Sequence, residues 1–203
     1  MILRPTLLAL VLLGGCAATP PARFYTLSGP PSPAATASGP SVVVGPVAIP
    51  AVVDRPEIVI TISENEVWLD EFNRWASPLA DAVGLAATEN LAALLGTPRV
   101  TLLAQSASAG ADADFRVTIE VQRFESAPGS YALLDAVYSV RRTSDGRSIS
   151  GRTTDRQSVS DKSYDALAAA HSRAVARLAR DATDALRTLA AQPAGRAAPS
   201  PAR

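Results

Sequence analysis

The chain has 203 residues, long enough for one domain with a real core; apolar residues make up 47%, much of it alanine. Its 19 Lys and Arg balance 19 Asp and Glu, and no basic run occurs, which argues against a nucleic-acid ligand and against steering by anionic lipid. Cys16 is the sole cysteine, so an intrachain disulfide is excluded.

The first residues carry one early positive charge, Arg4, then an apolar run over 7–13 that is too short to span a bilayer, which takes about 20 residues. Leu13-Gly14-Gly15-Cys16 follows and resembles the lipobox of bacterial lipoproteins. There a thiol is the nucleophile that takes a diacylglycerol, and small residues let the peptidase reach the backbone. A lone Cys in an exported chain calls for an explanation, and acylation supplies it. Residues 1–15 are therefore read as a signal peptide and Cys16 as the lipidated N-terminus of the mature chain. One acyl chain binds membranes only marginally; a diacylglycerol plus an N-acyl chain on Cys16 gives a lasting anchor. Ala17, in place of the Asp that retains enterobacterial lipoproteins at the inner membrane, favours the outer membrane. Residues 16–22 form a lipidated tether reaching roughly 20 Å.

The domain is read over residues 23–190. Aromatic and β-branched content predicts a strand over 23–27, and Pro, Ser, Gly and Ala make 28–40 a loop. A strand over 41–49 contains Pro46, which points to an edge or a bulge. Residues 57–63 have apolar side chains on both faces and read as a central strand; Glu64-Asn65 turns the chain into a hairpin partner at 66–69. Ser77-Pro78 reads as N-cap and first-turn proline of a helix ended by Gly96. A short strand over 99–103, an Ala/Ser/Gly loop over 104–113, and an alternating strand from Phe115 to Gln122 follow. Strands over 131–142 and 148–159 flank an Asp145-Gly146 turn, the second polar enough for an edge or a partner surface. Residues 160–190 carry an apolar stripe from Tyr164 to Leu189 at helical spacing. Residues 191–203, rich in Pro, Ala, Ser and Arg, read as a disordered tail. The expected fold is a single α/β (α+β) domain with a mixed, largely antiparallel sheet and two main helices packed on it.

Catalytic chemistry finds little support. His171 is the one histidine and lies on the apolar stripe of the last helix, so packing is its expected role. With Cys16 assigned to the lipid, no thiol remains for metal or nucleophilic work, and no Gly-rich phosphate loop is present. Asp112 and Asp114 read as solvated loop charges, and Glu64 and Glu66 as turn residues. No catalytic, cofactor or metal set is expected, apart from the acyl chains on Cys16. Two segments look more deliberate: Asp54-Arg55-Pro56 and Arg74-Trp75-Ala76-Ser77-Pro78-Leu79. Trp68 and Trp75 read first as core anchors, although Trp and Arg are also common interface anchors. Arg55, Arg74 and Trp75 are thus candidate partner-binding residues.

Phe24-Tyr25-Thr26-Leu27, Val44-Gly45-Pro46-Val47-Ala48-Ile49-Pro50, Asp54-Arg55-Pro56-Glu57-Ile58-Val59, Asn65-Glu66, Arg74 to Leu79 and Glu89-Asn90-Leu91, in that order and spacing, resemble the ABC-type transport auxiliary lipoproteins. Ile62-Ser63 departs from the pattern, which has Arg before the Ser in many members. The resemblance implies a non-enzymatic outer-membrane lipoprotein on the periplasmic face. It would belong to an MCE-type system that moves lipids between inner and outer membranes. Its partners would be a periplasmic MCE-domain protein, an inner-membrane permease and an ATPase; self-association is left open. An envelope hydrolase or an outer-membrane assembly lipoprotein are the competing readings.

Overall fold

The computed structural model describes residues 20–31, 39–103 and 112–193. Cys16, with the signal and most of the tether, lies outside them, as do residues 104–111 and most of the tail. The element order is β1 (Arg23–Tyr25), β2 (Val42–Ala48), β3 (Glu57–Ser63), β4 (Glu66–Trp75), α1 (Leu79–Leu95), β5 (Val100–Leu102), β6 (Phe115–Ala127), β7 (Tyr131–Arg142), β8 (Ser148–Ser158) and α2 (Tyr164–Ala191). This is a single α+β domain with two helices and two mixed sheets.

The larger sheet has the order β5-β2-β6-β7-β8, with β2 parallel to β5 and β6, and the β6-β7-β8 meander antiparallel. Along β6 the alternation seen in the sequence is obeyed: Phe115, Val117, Ile119 and Val121 are buried beneath the helices, while Glu120 and Gln122 face solvent. α2 lies across β7 and β8 and touches α1, which covers β2 and β5. The core is set by the α2 stripe, where Leu167, Ala174, Val175, Leu178, Leu186 and Leu189 are fully buried. Gly84 lets α1 come close to the sheet, since a Cβ there would sit 2.7 Å from Leu102 Cδ1.

The smaller sheet has the order β1-β4-β3. It corrects two expectations. The strands form two sheets, not one, and β3 is an edge strand, not a central one. Its apolar residues on both faces are explained by packing: Ile58, Val59 and Ile60 are all buried, and β3 lies against β6 of the other sheet. Two-sided burial there comes from tertiary contact and needs no second lateral neighbour. Pro46, by contrast, sits where β2 slips register on β6, between Val44 and Val47, after a cis Gly45-Pro46 peptide. β8 is an edge strand, as its polarity suggested.

The helix ends differ from each other. Gly96, at φ 64°, closes α1 in the left-handed conformation, its N–H and that of Thr97 bonding back to Ala93 and Ala92. At the other end Pro78, not Ser77, occupies the N-cap, and no side chain caps the first turn. α2 has a conventional N-cap: the Ser163 hydroxyl accepts from Ala166 N at 3.1 Å. Ser163→Ala is expected to lower stability by about 1 kcal/mol, read as a shift of the urea midpoint at constant m. The C-terminal end of α2 is held by the nearly buried Arg142 at the end of β7, whose guanidinium donates to Leu189 O at 3.0 Å and Gln192 O at 2.8 Å while pairing with Asp145. Arg142→Met is therefore expected to speed amide exchange selectively in the last turn of α2.

Candidate functional site

The two segments singled out in the sequence meet in space. Asp54, Arg55 and Pro56 enter β3, and Trp75, Ala76, Ser77 and Pro78 leave β4 for α1; together they line a cavity of about 390 Å³. Backbone hydrogen bonds fix the approach: Trp75 N donates to Pro56 O at 2.8 Å, and Ala76 N to Tyr25 O at 2.8 Å. Three strand ends are thus tied at one corner of the small sheet.

The same corner is braced from the side of α2. The Asp70 carboxylate accepts from Phe72 N at 2.9 Å, Asn73 N at 3.0 Å and Asn73 Nδ2 at 2.9 Å, and closely from the Tyr164 hydroxyl. Tyr25 donates to Asn73 Oδ1 at 2.9 Å and packs its ring against Tyr164, with centroids 5.8 Å apart. Burial by itself would raise the Asp70 carboxyl, but the hydrogen bonds from Tyr164, Asn73 and Phe72 outweigh it and hold it below the usual value. Burial, then the hydrogen bond to Asp70, pushes the Tyr164 hydroxyl up. This network organises the irregularity in β4 between Asp70 and Arg74, where the pairing with β3 slips. Reading the sequence missed it; the one signal was a lone Asp inside an otherwise strand-like run.

Each candidate residue has a definite place. Trp75 is core, 4% exposed, edge-on to Phe124 and to His171 at centroid distances of 6.1 and 6.2 Å, and it forms an inner wall of the cavity. Arg74 turns to the sheet surface, where it pairs with Glu57 at 3.3 Å and donates from Nε to Glu71 O. Arg55 is the cavity's one cation; its Nε is buried with no hydrogen-bond partner. Trp68, expected in the core, is instead 53% exposed on β4, near the tip of the β3-β4 hairpin. The hairpin's end extends past the packed part of the sheet, and Ile62 and Val67 beside the turn are exposed with it.

His171 is fully buried, stacked on Phe124 with centroids 3.9 Å apart, its Nε2 2.8 Å from Ser126 Oγ and its Nδ1 unpartnered. Burial drives its pKa down to about 3, so at neutral pH it is an uncharged core ring with no route to a substrate. Asp114 is also structural: it accepts from the backbone N–H and the hydroxyl of Ser41, at 2.7 and 2.8 Å, and those bonds lower its pKa. The expectation of a merely solvated charge is corrected on that point. Among the described residues no group of three or more His, Cys, Asp and Glu side chains is arranged to hold a metal ion.

The sequence profile of the ABC-type transport auxiliary lipoprotein component matches residues 25–182, from β1 well into α2. The chain belongs to that family. Its role is therefore that of an auxiliary lipoprotein of an ABC-type transport system. No curated protein matches it. Among solved structures it is similar to an uncharacterised protein, at 17% identity and a TM-score of 0.66, covering 82% of this chain and 99% of that one. It is also similar to protein XCC0632 from Xanthomonas campestris, of the DUF330 family, at 19% identity and a TM-score of 0.64, covering 83% and 98%. These likenesses bear on the fold. The family match spans both segments that build the cavity.

Proposed function

We propose that this protein is the outer-membrane lipoprotein subunit of an MCE-type transport system, acylated on Cys16, and that it docks a periplasmic MCE-domain protein without catalysing a reaction. The observation that carries the docking role is the cavity at the corner of the small sheet, built from the two family segments and holding an unpaired arginine nitrogen. Burial of its lone histidine as a neutral core ring supports a non-enzymatic role. The short tether keeps the domain within roughly 20 Å of its membrane, and Ala17 after the acylated cysteine supports the outer one.

The test is affinity purification of the tagged full-length chain from envelope membranes. Retention of an MCE-domain protein together with its permease and ATPase is expected; recovery of the chain without them would overturn the assignment. In the same cells, Cys16→Ser is expected to abolish incorporation of an alkyne fatty acid, and label retained on that variant would show that Cys16 is not the acylated residue. Ala17→Asp should move the protein toward the inner-membrane fraction on a density gradient, in a host that follows the enterobacterial sorting rule.

A further inference from the structure

We propose that the end of the β3-β4 hairpin is a membrane-contact surface, seating Trp68 in the headgroup layer of the bilayer that holds the chain; this rests on the acylation of Cys16 proposed above. Large exposed apolar side chains gather in this part of the molecule. Phe24, Ile62, Val67, Trp68 and Phe72 all belong to the three strands of the small sheet. Outside it only Val52 and Leu85 are large, apolar and exposed among the described residues. Single exposed apolar residues are ordinary, but a cluster of them marks a contact surface. Trp68 pairs with Ile60 and so shares a face with Ile62, while Val67, opposite Thr61, lies on the other face. Both faces of the hairpin end are thus apolar and open. A fluid layer closes around such an element, whereas a folded partner would cover one face.

The path of the chain puts this surface at the membrane. β1 is parallel to β4, with Arg23 opposite Asn73, so the chain enters β1 from the side of the hairpin end. The tether over residues 16–22 reaches roughly 20 Å. From Asn73 back to Glu66, β4 covers about the same length, roughly 20 Å at the rise of a strand. A straight tether running along β4 therefore brings the acylated Cys16 level with the hairpin end, and a bent one draws the small sheet still closer to lipid. The contact is apolar, not electrostatic. No Lys or Arg occurs from Pro56 to Asn73, while Glu64, Glu66 and Glu71 are exposed, so anionic headgroups exert no attraction here. Carboxylates are costly to bury, which keeps the Glu64-Asn65-Glu66 turn among the headgroups and makes the seat shallow. Indole suits that depth, since its ring takes apolar contact while its N–H stays with water and headgroups.

The experiment uses the full-length lipoprotein, reconstituted through its acyl chains into phosphatidylcholine vesicles. Emission of Trp68, isolated by subtracting that of Trp68→Phe, is measured with lipids brominated near the headgroup end or near the chain ends. Shallow bromines are expected to quench at least half of the Trp68 emission, and terminal bromines less. Vesicle-bound protein whose Trp68 no bromolipid quenches overturns the proposal, whether the indole is open to iodide or shielded from it by a protein contact. Stronger quenching by terminal bromines overturns the shallow seat. Ile62→Asp, at an exposed position, should cut the quenching by more than half. Unchanged quenching in that variant would show that the tether alone brings Trp68 to lipid, and overturns the apolar contact. With phosphatidylglycerol replacing a third of the lipid, quenching should be equal or weaker; quenching found only with the anionic lipid also overturns the apolar basis. Protein that does not float with the vesicles at all is instead the failure of the acylation reading, and takes this proposal with it.

Discussion

Replacing Trp75 with alanine is expected to lower folding stability by about 3–5 kcal/mol, the range for a large buried aromatic removed from a core. The reason is its position. Trp75 is the last residue of β4, its N–H is bonded to Pro56 O, and its ring is the link between Phe124 on β6 and His171 on α2. Removing it empties the junction of both sheets and the long helix, and the two edge-on ring contacts are lost along with the buried area. For a domain of this size each kcal/mol moves Tm by roughly 2–4 °C, so a fall of about 10 °C is expected. Urea unfolding followed by far-UV circular dichroism and by Trp68 fluorescence measures it. Trp75→Phe, which keeps an aromatic ring, should recover more than half the loss. A change below about 1 kcal/mol in Trp75→Ala would contradict the packing described.

Stability is expected to fall steeply as the pH drops below 6.5, and His171 is the cause. Its folded pKa is about 3 because burial disfavours the cation, against an ordinary value of 6.5. Between those values the unfolded chain binds a proton there and the native chain does not, so stability rises with pH and is lost as pH falls. At about 1.4 kcal/mol for each pH unit, the loss across the window approaches 5 kcal/mol, a large share of the stability of an ordinary domain. The carboxylates Asp70, Asp114 and Asp135, all with lowered pKa values, lose their stabilisation in the same direction, but only as pH falls below their ordinary value of 3.8. The interval from pH 6.5 to 4.5 therefore isolates the histidine. Urea midpoints across it should slope in the wild type and lie nearly flat in His171→Gln, which keeps a polar group near Ser126 Oγ. A parallel slope in the variant would assign the acid sensitivity to other groups.

Local order was largely legible in the sequence. The alternation of Phe115, Val117, Ile119 and Val121, the glycine closing α1 and the stripe along α2 each name their element, because burial on one face imposes a period that the sequence must carry. What was not legible depended on contacts between elements distant in the chain. Ile58, Val59 and Ile60 have the same apolar content whether a strand is flanked on both sides or pressed from above by β6, so the edge position of β3 could not be read. Trp68 and Trp75, seven residues apart on one strand, differ because the hairpin outruns the packed part of its sheet, which is a property of length and packing and not of the residue. At the site, the meeting of Arg55 and Trp75 was foreshadowed only as two separate segments. Their contact depends on the Trp75 to Pro56 hydrogen bond and on the Asp70, Asn73 and Tyr164 brace, whose members lie up to 94 positions apart. Arg74, the neighbour with the same apparent promise, is engaged with Glu57 instead.

If the arginine-bearing cavity is where the partner docks, reversing the charge of Arg55 must weaken binding of the MCE ectodomain. The full-length lipoprotein is immobilised in a nanodisc, and the cognate MCE ectodomain is passed over it by interferometry, with Arg55→Glu and the exposed control Arg180→Glu alongside, all checked for folding by circular dichroism. Saturable binding by the wild type is expected, with at least tenfold weaker binding by Arg55→Glu, a loss of about 1.4 kcal/mol or more, and near wild-type binding by Arg180→Glu. A folded wild type that shows no binding at ectodomain concentrations of tens of micromolar, or an Arg55→Glu variant that binds as the wild type does, would contradict it.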